Sequence, residues 1–222
     1  MREEKIDYQK QLIQIISKVQ NFSVKPKLLL HACCAPCSSY VIEYLSSIFD
    51  ITIYYFNPNI HPQSEYERRL EELKVFLSKF PVAVQNSVKL EIADYNSEDF
   101  FCAVKTREQP ELQDEPERGE RCRRCYEFRL KKAFEFAADN KYDYFTTTLS
   151  ISPYKDAEKI NTIGYTFDKL SDVKYLPADF KKKNGFLRSL KLSSEYGLYR
   201  QDYCGCVYSM RNKHNKTKQT DC

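Results

Sequence analysis

No stretch of this 222-residue chain approaches the run of about 18–20 consecutive apolar residues that a membrane-spanning helix needs, so none is expected. The opening Met1-Arg2-Glu3-Glu4-Lys5-Ile6-Asp7 is charged at once and lacks the apolar core of a secretory signal, which predicts a cytoplasmic chain without one. Tryptophan is absent, and 17 Tyr and 14 Phe supply the aromatic interior and rim. Charge of one sign is lacking too: the net charge of +4 is mildly basic and by itself names no partner. No internal repeat and no clear domain boundary stand out. Against these absences stand nine cysteines. An odd count without a secretory signal argues against a disulfide scaffold and for metal binding or redox chemistry.

The remaining pattern is that of an α/β chain. Leu12, Ile15, Ile16 and Val19 mark an amphipathic helix over 3–20, and Val41, Tyr44, Leu45 and Ile48 mark a second after Ser38. Short apolar runs at 27–32, 51–56, 88–92 and 143–148 read as strands, with an edge strand or loop at 175–179 interrupted by Pro177. Helices are predicted at 64–79, where Ser64 and Glu67 form a capping box, at 121–138, at 156–169, and from Phe186 to a stop at Gly197. Tyr66, Leu70, Leu73 and Leu77 point inward on the first of these, and Tyr126, Leu130, Ala133, Phe134 and Ala137 on the second. Residues 106–120 carry acids, Pro110, Pro116 and Gly119, and read as a long exposed loop of the kind that serves as a lid. Strands alternating with helices predict a mostly parallel sheet flanked by helices. Residues 1–210 form one expected domain, and 211–222 an expected disordered basic tail.

The first apolar strand runs into His31-Ala32-Cys33-Cys34-Ala35-Pro36-Cys37. A turn between a buried strand and a helix lies at the open edge of an α/β sheet, where ligands collect. Cys122-x-x-Cys125 opens a helix, whose N-terminus favours thiolate charge. Together with Cys33 and Cys34 it would bring four thiolates to one edge. Structural zinc usually takes two Cys-x-x-Cys pairs, and adjacent cysteines chelate one small ion poorly. The separated iron corners of a [4Fe–4S] cluster suit neighbouring cysteines better, with zinc and free thiols as the other readings. Cys37 is left over. Cys204-Gly205-Cys206 closes a very small ring when oxidised, and its strain makes a pair easily reduced and re-formed. Two merely buried cysteines are the alternative.

Other residues carry weaker signals. His31 is either a neighbour of the cysteine turn or a packed core histidine. His61 and Asp94 sit at strand ends, where they could touch substrate or metal or only cap loops. Cys37 and Asp94 are the candidates for an additional iron ion. Arg121, Arg123 and Arg124 could balance cluster charge or hold a phosphate. Arg68-Arg69, Lys131-Lys132 and Lys181-Lys182-Lys183 read singly as solvated faces, and together with the tyrosines are compatible with a nucleic-acid surface.

The cysteine turn, Phe56-Asn57-Pro58-Asn59-Ile60-His61-Pro62 with Tyr66 and Arg69, Cys122-x-x-Cys125, the run from Thr147 to Lys155 (Thr-Thr-Leu-Ser-Ile-Ser-Pro-Tyr-Lys) and Tyr203-Cys204-Gly205-Cys206 occur in this order. The chain thereby resembles the cobalamin-independent epoxyqueuosine reductase (QueH) family over residues 27–210. The resemblance implies reduction of the cyclopentane epoxide of epoxyqueuosine to the alkene at the wobble position of a tRNA, the last step of queuosine biosynthesis. It implies a [4Fe–4S] cluster on Cys33, Cys34, Cys122 and Cys125, a redox-active disulfide between Cys204 and Cys206, and an electron donor. It also implies a Rossmann-like fold related to the PP-loop (HUP-related) nucleotide-binding group. The glycine-rich phosphate loop of that group is replaced here by the cysteine turn, which argues against ATP use. The competing readings are an adenylyl-sulfate-type iron–sulfur reductase and a zinc-stabilised RNA-binding module without catalysis.

Overall fold

The structure, a computed structural model, describes residues 6–210, so the expected basic tail lies outside the described residues. The elements run α1 (Tyr8–Val19), β1 (Lys27–His31), α2 (Ala35–Leu45), β2 (Asp50–Tyr55), α3 (Gln63–Lys79), α4 (Pro81–Gln85), β3 (Lys89–Ile92), α5 (Ser97–Val104), α6 (Glu120–Asp139), β4 (Tyr144–Thr147), α7 (Ala157–Thr166), β5 (Lys174–Tyr175) and α8 (Gly185–Glu195). All strand pairings are parallel, in the order β3-β2-β1-β4-β5. The Rossmann-like α/β expectation is met.

Why β1 is central follows from its sequence. Leu28, Leu29 and Leu30 are all fully buried, which only a strand covered on both faces requires. Leu28 and Leu30 join the core beneath α1, α2, α3 and α8, and Leu29 joins the core beneath α6 and α7. Strand order reverses between β1 and β4, so the carboxyl ends of these two strands open a crevice. His31 pairs with Tyr54 on one side and Thr147 on the other at that edge.

Local chemistry explains most boundaries. Asp7 caps α1 through Oδ1, which accepts from the Gln9 and Lys10 amides, and Asp156 caps α7. Gly197 follows α8 at φ +61°, the left-handed stop expected there. The capping box of α3 does not form. The helix begins one residue earlier, after Pro62, and Gln63 Nε2 instead donates to Glu67 Oε1 at 2.8 Å. The edge strand β5 shrinks to two residues. Gly164 permits its close approach, because a Cβ there would stand 2.3 Å from the Tyr175 ring. The short α4 has no periodicity to announce it.

The 106–120 segment is fastened down. Fully buried Arg121 donates to the carbonyls of Leu112, Gln113 and Glu115. The segment is thereby a fixed wall instead of a free lid. A third, smaller cluster packs the C-terminal segment against α5 and the start of α6 through Phe100, Val104, Cys125, Cys206 and Tyr208.

Candidate active site

Cys33 and Cys34 follow β1 directly, and Cys34 is the residue from which α2 springs, with extended φ and Pro36 in its first turn. Cys37 comes one turn later on the same helix face. The three Sγ atoms lie within 4.8 Å of one another, with Cys33 and Cys34 3.8 Å apart. The leftover cysteine of the sequence is therefore a full member of the group. Gln201 Nε2 reaches Cys34 Sγ at 3.0 Å from the C-terminal segment. Hydrogen bonds from Cys34 and Cys37 hold the Cys33 thiol well below its usual range against the cost of burial, with Arg129 and Arg69 adding attraction. Burial and the neighbouring Cys33 push Cys34 up, and Cys33 with Cys34 pushes Cys37 up. The charge of the triad rests on Cys33.

Two buried arginines serve this group. Arg129, on the buried face of α6, donates Nη2 to Asn57 Oδ1 at 2.6 Å, and its charge acts on Cys125, Cys33 and Cys204 alike. Arg69, on α3, pairs through Nε with Glu65 at 2.7 Å, and its Nη1 and Nη2 are buried without a hydrogen-bond partner. Its guanidinium lies 5.3 Å from the Tyr203 ring. The solvated face expected at Arg68-Arg69 thus divides. Arg68 stacks on Tyr199, while Arg69 lies in the core.

The arginines expected beside the thiols face elsewhere. Arg121 holds the 106–120 wall, Arg123 pairs with Glu120 and Glu127, and Arg124 pairs with Glu120. Position along the helix decides this. Arg123 and Arg124 sit off the stripe that carries Cys122, Cys125, Tyr126, Arg129 and Leu130 into the core. A charged residue in an apolar stripe was the readable signal, and it applies equally to Arg69 between Tyr66 and Leu73. Lys131 and Lys132 pair with Glu135, Lys181 with Asp179, and Lys182 with Asp7, as solvated faces do.

Cys122 and Cys125 occupy the first turns of α6, both buried. Burial raises both thiols, Cys125 to about 11, so the helix N-terminus does not by itself make them thiolates. His31 is fully buried between Thr147 Oγ1 (2.8 Å) and the Phe56 carbonyl (3.1 Å). Burial and the Arg129 charge lower its pKa to about 3, and it is a neutral packed residue. His61 packs on Phe101, and its amide donates to the Gly205 carbonyl at 2.7 Å. Asp94 is exposed past β3 and stands outside the close thiol group.

The C-terminal segment brings the second thiol pair to the crevice. Gly205 adopts φ +107°, and its amide neighbourhood is clasped by His61 and by the Tyr203 hydroxyl, which donates to the His61 carbonyl at 2.5 Å. The eight described cysteines are all free, so Cys204 and Cys206 stand as a dithiol and the expected disulfide is not formed. Lys155 Nζ lies 2.5 Å from Cys204 Sγ. The Cys206 hydrogen bond holds Cys204 well below the ordinary thiol range, against burial and with help from the Lys155 ammonium, and Cys206 is raised in turn. Lys155 carried no signal of its own beyond its place in the Thr147–Lys155 run.

A cavity of about 1020 Å³ joins these groups. Cys33, Cys37, Arg129, Lys155 and Cys204 form its reactive wall, and Glu117, Arg118, Pro153 and Tyr154 lie along the wall contributed by the loops. That volume suits a nucleoside-sized ligand. Of the four cysteines expected to hold the cluster, Cys33 lines the wall, and so does Cys37, a candidate for an additional iron. Cys33, Cys34 and Cys37 fit a thiolate-ligated metal group: Cys34 is buried, Cys33 and Cys37 are half-buried, and two guanidinium charges act on them, while Cys122 and Cys125 stand outside this close group.

A family model described as epoxyqueuosine reductase QueH matches residues 28–212. The chain belongs to this family. It is 43% identical over 208 residues to the epoxyqueuosine reductase QueH of Streptococcus pyogenes serotype M1, covering 94% of this chain and 80% of that relative. Identity to the protein of the same name from Staphylococcus epidermidis is 42% over 219 residues, 99% of this chain and 91% of the relative. The Thermotoga maritima epoxyqueuosine reductase QueH is more distant, 34% identical over 195 residues, 85% of this chain and 93% of the relative. Among the described residues no helix is long and apolar enough to cross a membrane.

Proposed function

We propose that the chain reduces epoxyqueuosine to queuosine at the wobble position of tRNA, in the cytoplasm, with residues 1–210 as one catalytic unit. Membership in the epoxyqueuosine reductase family carries the substrate. The meeting of two thiol groups on one nucleoside-sized cavity carries the redox chemistry. Cys33, Cys34, Cys122 and Cys125 would hold a [4Fe–4S] cluster, with Cys37, and more weakly Asp94, available to an additional iron ion. When bound, the cluster supplies one-electron transfer and a Lewis-acidic iron corner.

The chain's own residues do the rest. Conversion of the epoxide to the alkene takes two electrons and two protons and releases water. The Cys204–Cys206 dithiol stores two electrons, and an external electron donor restores it. Buried Arg69 and Arg129 hold positive charge against the thiolates. The wall fixed by Arg121 and the segment clasped at Gly205 close the cavity around the base. A nucleotide-sulfonate reductase is disfavoured by the family membership, and a zinc-stabilised RNA-binding module leaves the Lys155–Cys204 contact without a task.

The test is anaerobic incubation of the iron-loaded protein with epoxyqueuosine-containing tRNA and a strong reductant, followed by nucleoside mass analysis. Loss of 16 mass units, one oxygen, from the modified nucleoside is expected. Unchanged epoxide alongside the ~400 nm absorption of an intact cluster would overturn the reading.

A further inference from the structure

The dithiol beside the cavity carries two electrons but not two mobile protons. Lys155 Nζ, 2.5 Å from Cys204 Sγ, and the hydrogen bond with Cys206 both favour the thiolate of Cys204, and the proton of the pair sits on the Cys206 side. Disulfide formation from this state releases one proton, and the epoxide oxygen needs two to leave as water. A proton donor on the cavity wall that also touches Cys204 would couple the second proton to electron release.

Lys155 meets that description. The residue is 9% exposed, lines the cavity and places Nζ 2.5 Å from Cys204 Sγ. The other cations of the wall, Arg118, Arg129 and Arg200, carry guanidinium groups, which do not deprotonate in proteins. We propose that Lys155 delivers the second proton to the epoxide oxygen as Cys204 gives up its electrons.

This rests on Cys204 and Cys206 being the redox pair. The balance is then complete. Cys204 thiolate, Cys206 thiol, Lys155 ammonium and the epoxide become the Cys204–Cys206 disulfide, Lys155 amine, the alkene and water. One S–S bond forms and two C–O bonds break. The two sulfurs are oxidised, the two carbons are reduced, and both protons end on the departing oxygen. The external donor that reduces the disulfide returns the protons with its electrons.

The surroundings couple the two transfers. Burial works against the Lys155 charge, and the Cys204 thiolate is what chiefly sustains it. Tyr126 and Glu117 add smaller contributions. Glu117 is already engaged by the Ser209 hydroxyl at 2.7 Å. Cys122, Cys125 and Arg129 of α6 also face the Cys204 side of the site. When the disulfide forms, the thiolate charge disappears and the ammonium is left buried without its main partner. Desolvation then favours the neutral amine, so electron release drives proton release.

The experiment uses the iron-loaded protein and saturating tRNA substrate, with Lys155→Ala and Lys155→Arg variants. Loss of a positioned general acid costs about a hundredfold or more in rate. Lys155→Ala is expected to fall by that factor with its cluster absorption intact, to regain rate as pH is lowered, and to be partly rescued by ethylammonium. Lys155→Arg keeps the positive charge beside Cys204 and is expected to be as slow, without rescue. A Lys155→Arg protein at wild-type rate would show that charge alone matters and overturn the proposal. So would a loss in both variants that neither ethylammonium nor lower pH relieves, since that is a structural role. A separate arm examines the wild-type protein after one turnover without external reductant. Cys204 and Cys206 protected from alkylation support the redox pair. Both thiols still open to alkylation would overturn that reading itself, independently of what the Lys155 variants do.

Discussion

The two thiol groups of the cavity are held in opposite ways. Cys33, Cys34 and Cys37 sit where the central strand becomes a helix, on backbone fixed by the sheet and by fully buried neighbours. Cys204 and Cys206 ride on a segment outside the sheet, held by contacts to His61, Ser209 and Lys155 and by the smallest of the three core clusters. The first arrangement suits a metal group that needs fixed geometry. The second suits the exchangeable pair proposed above. Local stability follows the number of buried contacts, so exchangeable chemistry belongs on the looser element.

Substitution of ligands breaks this comparison most severely. Cys33→Ser should remove iron and turnover together, read by metal analysis and tRNA nucleoside mass, whereas Cys204→Ser should keep the iron and lose turnover. A Cys204→Ser protein that retains full turnover with every donor would abolish the division of labour. Next comes Arg69→Met, which strands buried Glu65. Loss of one partner of a buried pair costs about 3–5 kcal/mol, and chemical denaturation should show it.

Gly205→Ala probes the looser segment. A Cβ there meets Ile60 Cγ1 at 3.0 Å and Arg69 Nη1 at 3.1 Å, at a φ that side chains rarely adopt. The strain is of order 1–3 kcal/mol, and it should slow turnover while leaving the iron content unchanged. The pH response sharpens the contrast further. The Cys204 pKa in the folded protein lies below that of an unfolded thiol, so its thiolate survives as pH falls from 9. Its stabilising contribution is full above the unfolded thiol pKa and is lost as pH falls through the folded one. Iodoacetamide labelling of Cys204 should therefore stay fast at pH 7, and should slow in Lys155→Ala. The smallest effect belongs to the surface: Arg123→Ala, which breaks half-exposed pairs to Glu120 and Glu127, should change stability by at most about 1 kcal/mol.

Much of this was readable from residue order. The apolar stripe Tyr126, Leu130, Ala133, Phe134 and Ala137 is buried as its period predicts, and Gly197 ends the last helix. The four strands marked by apolar runs are present within a residue or two. Failures came where one local rule competed with packing. Ser64 and Glu67 spell a cap, yet the chain turns into α3 before reaching them. Arg69 spells a charged surface in a charged helix, yet its register puts it on the core side. At the site, the closeness of Cys33 and Cys34 was legible because adjacency is local, and Cys37 joins them only once the turn is folded.

By itself the sequence determined the alternation of elements, the central buried strand and the chemical type of the site, because helix and strand periods and cysteine spacing act over a few residues. Tertiary structure decided which cations serve the thiols and which lysine meets Cys204. Lys155 and Cys204 are 49 residues apart on segments with no repeating pattern. Only the packing of the C-terminal segment across the crevice between β1 and β4 brings that ammonium and that thiolate into contact.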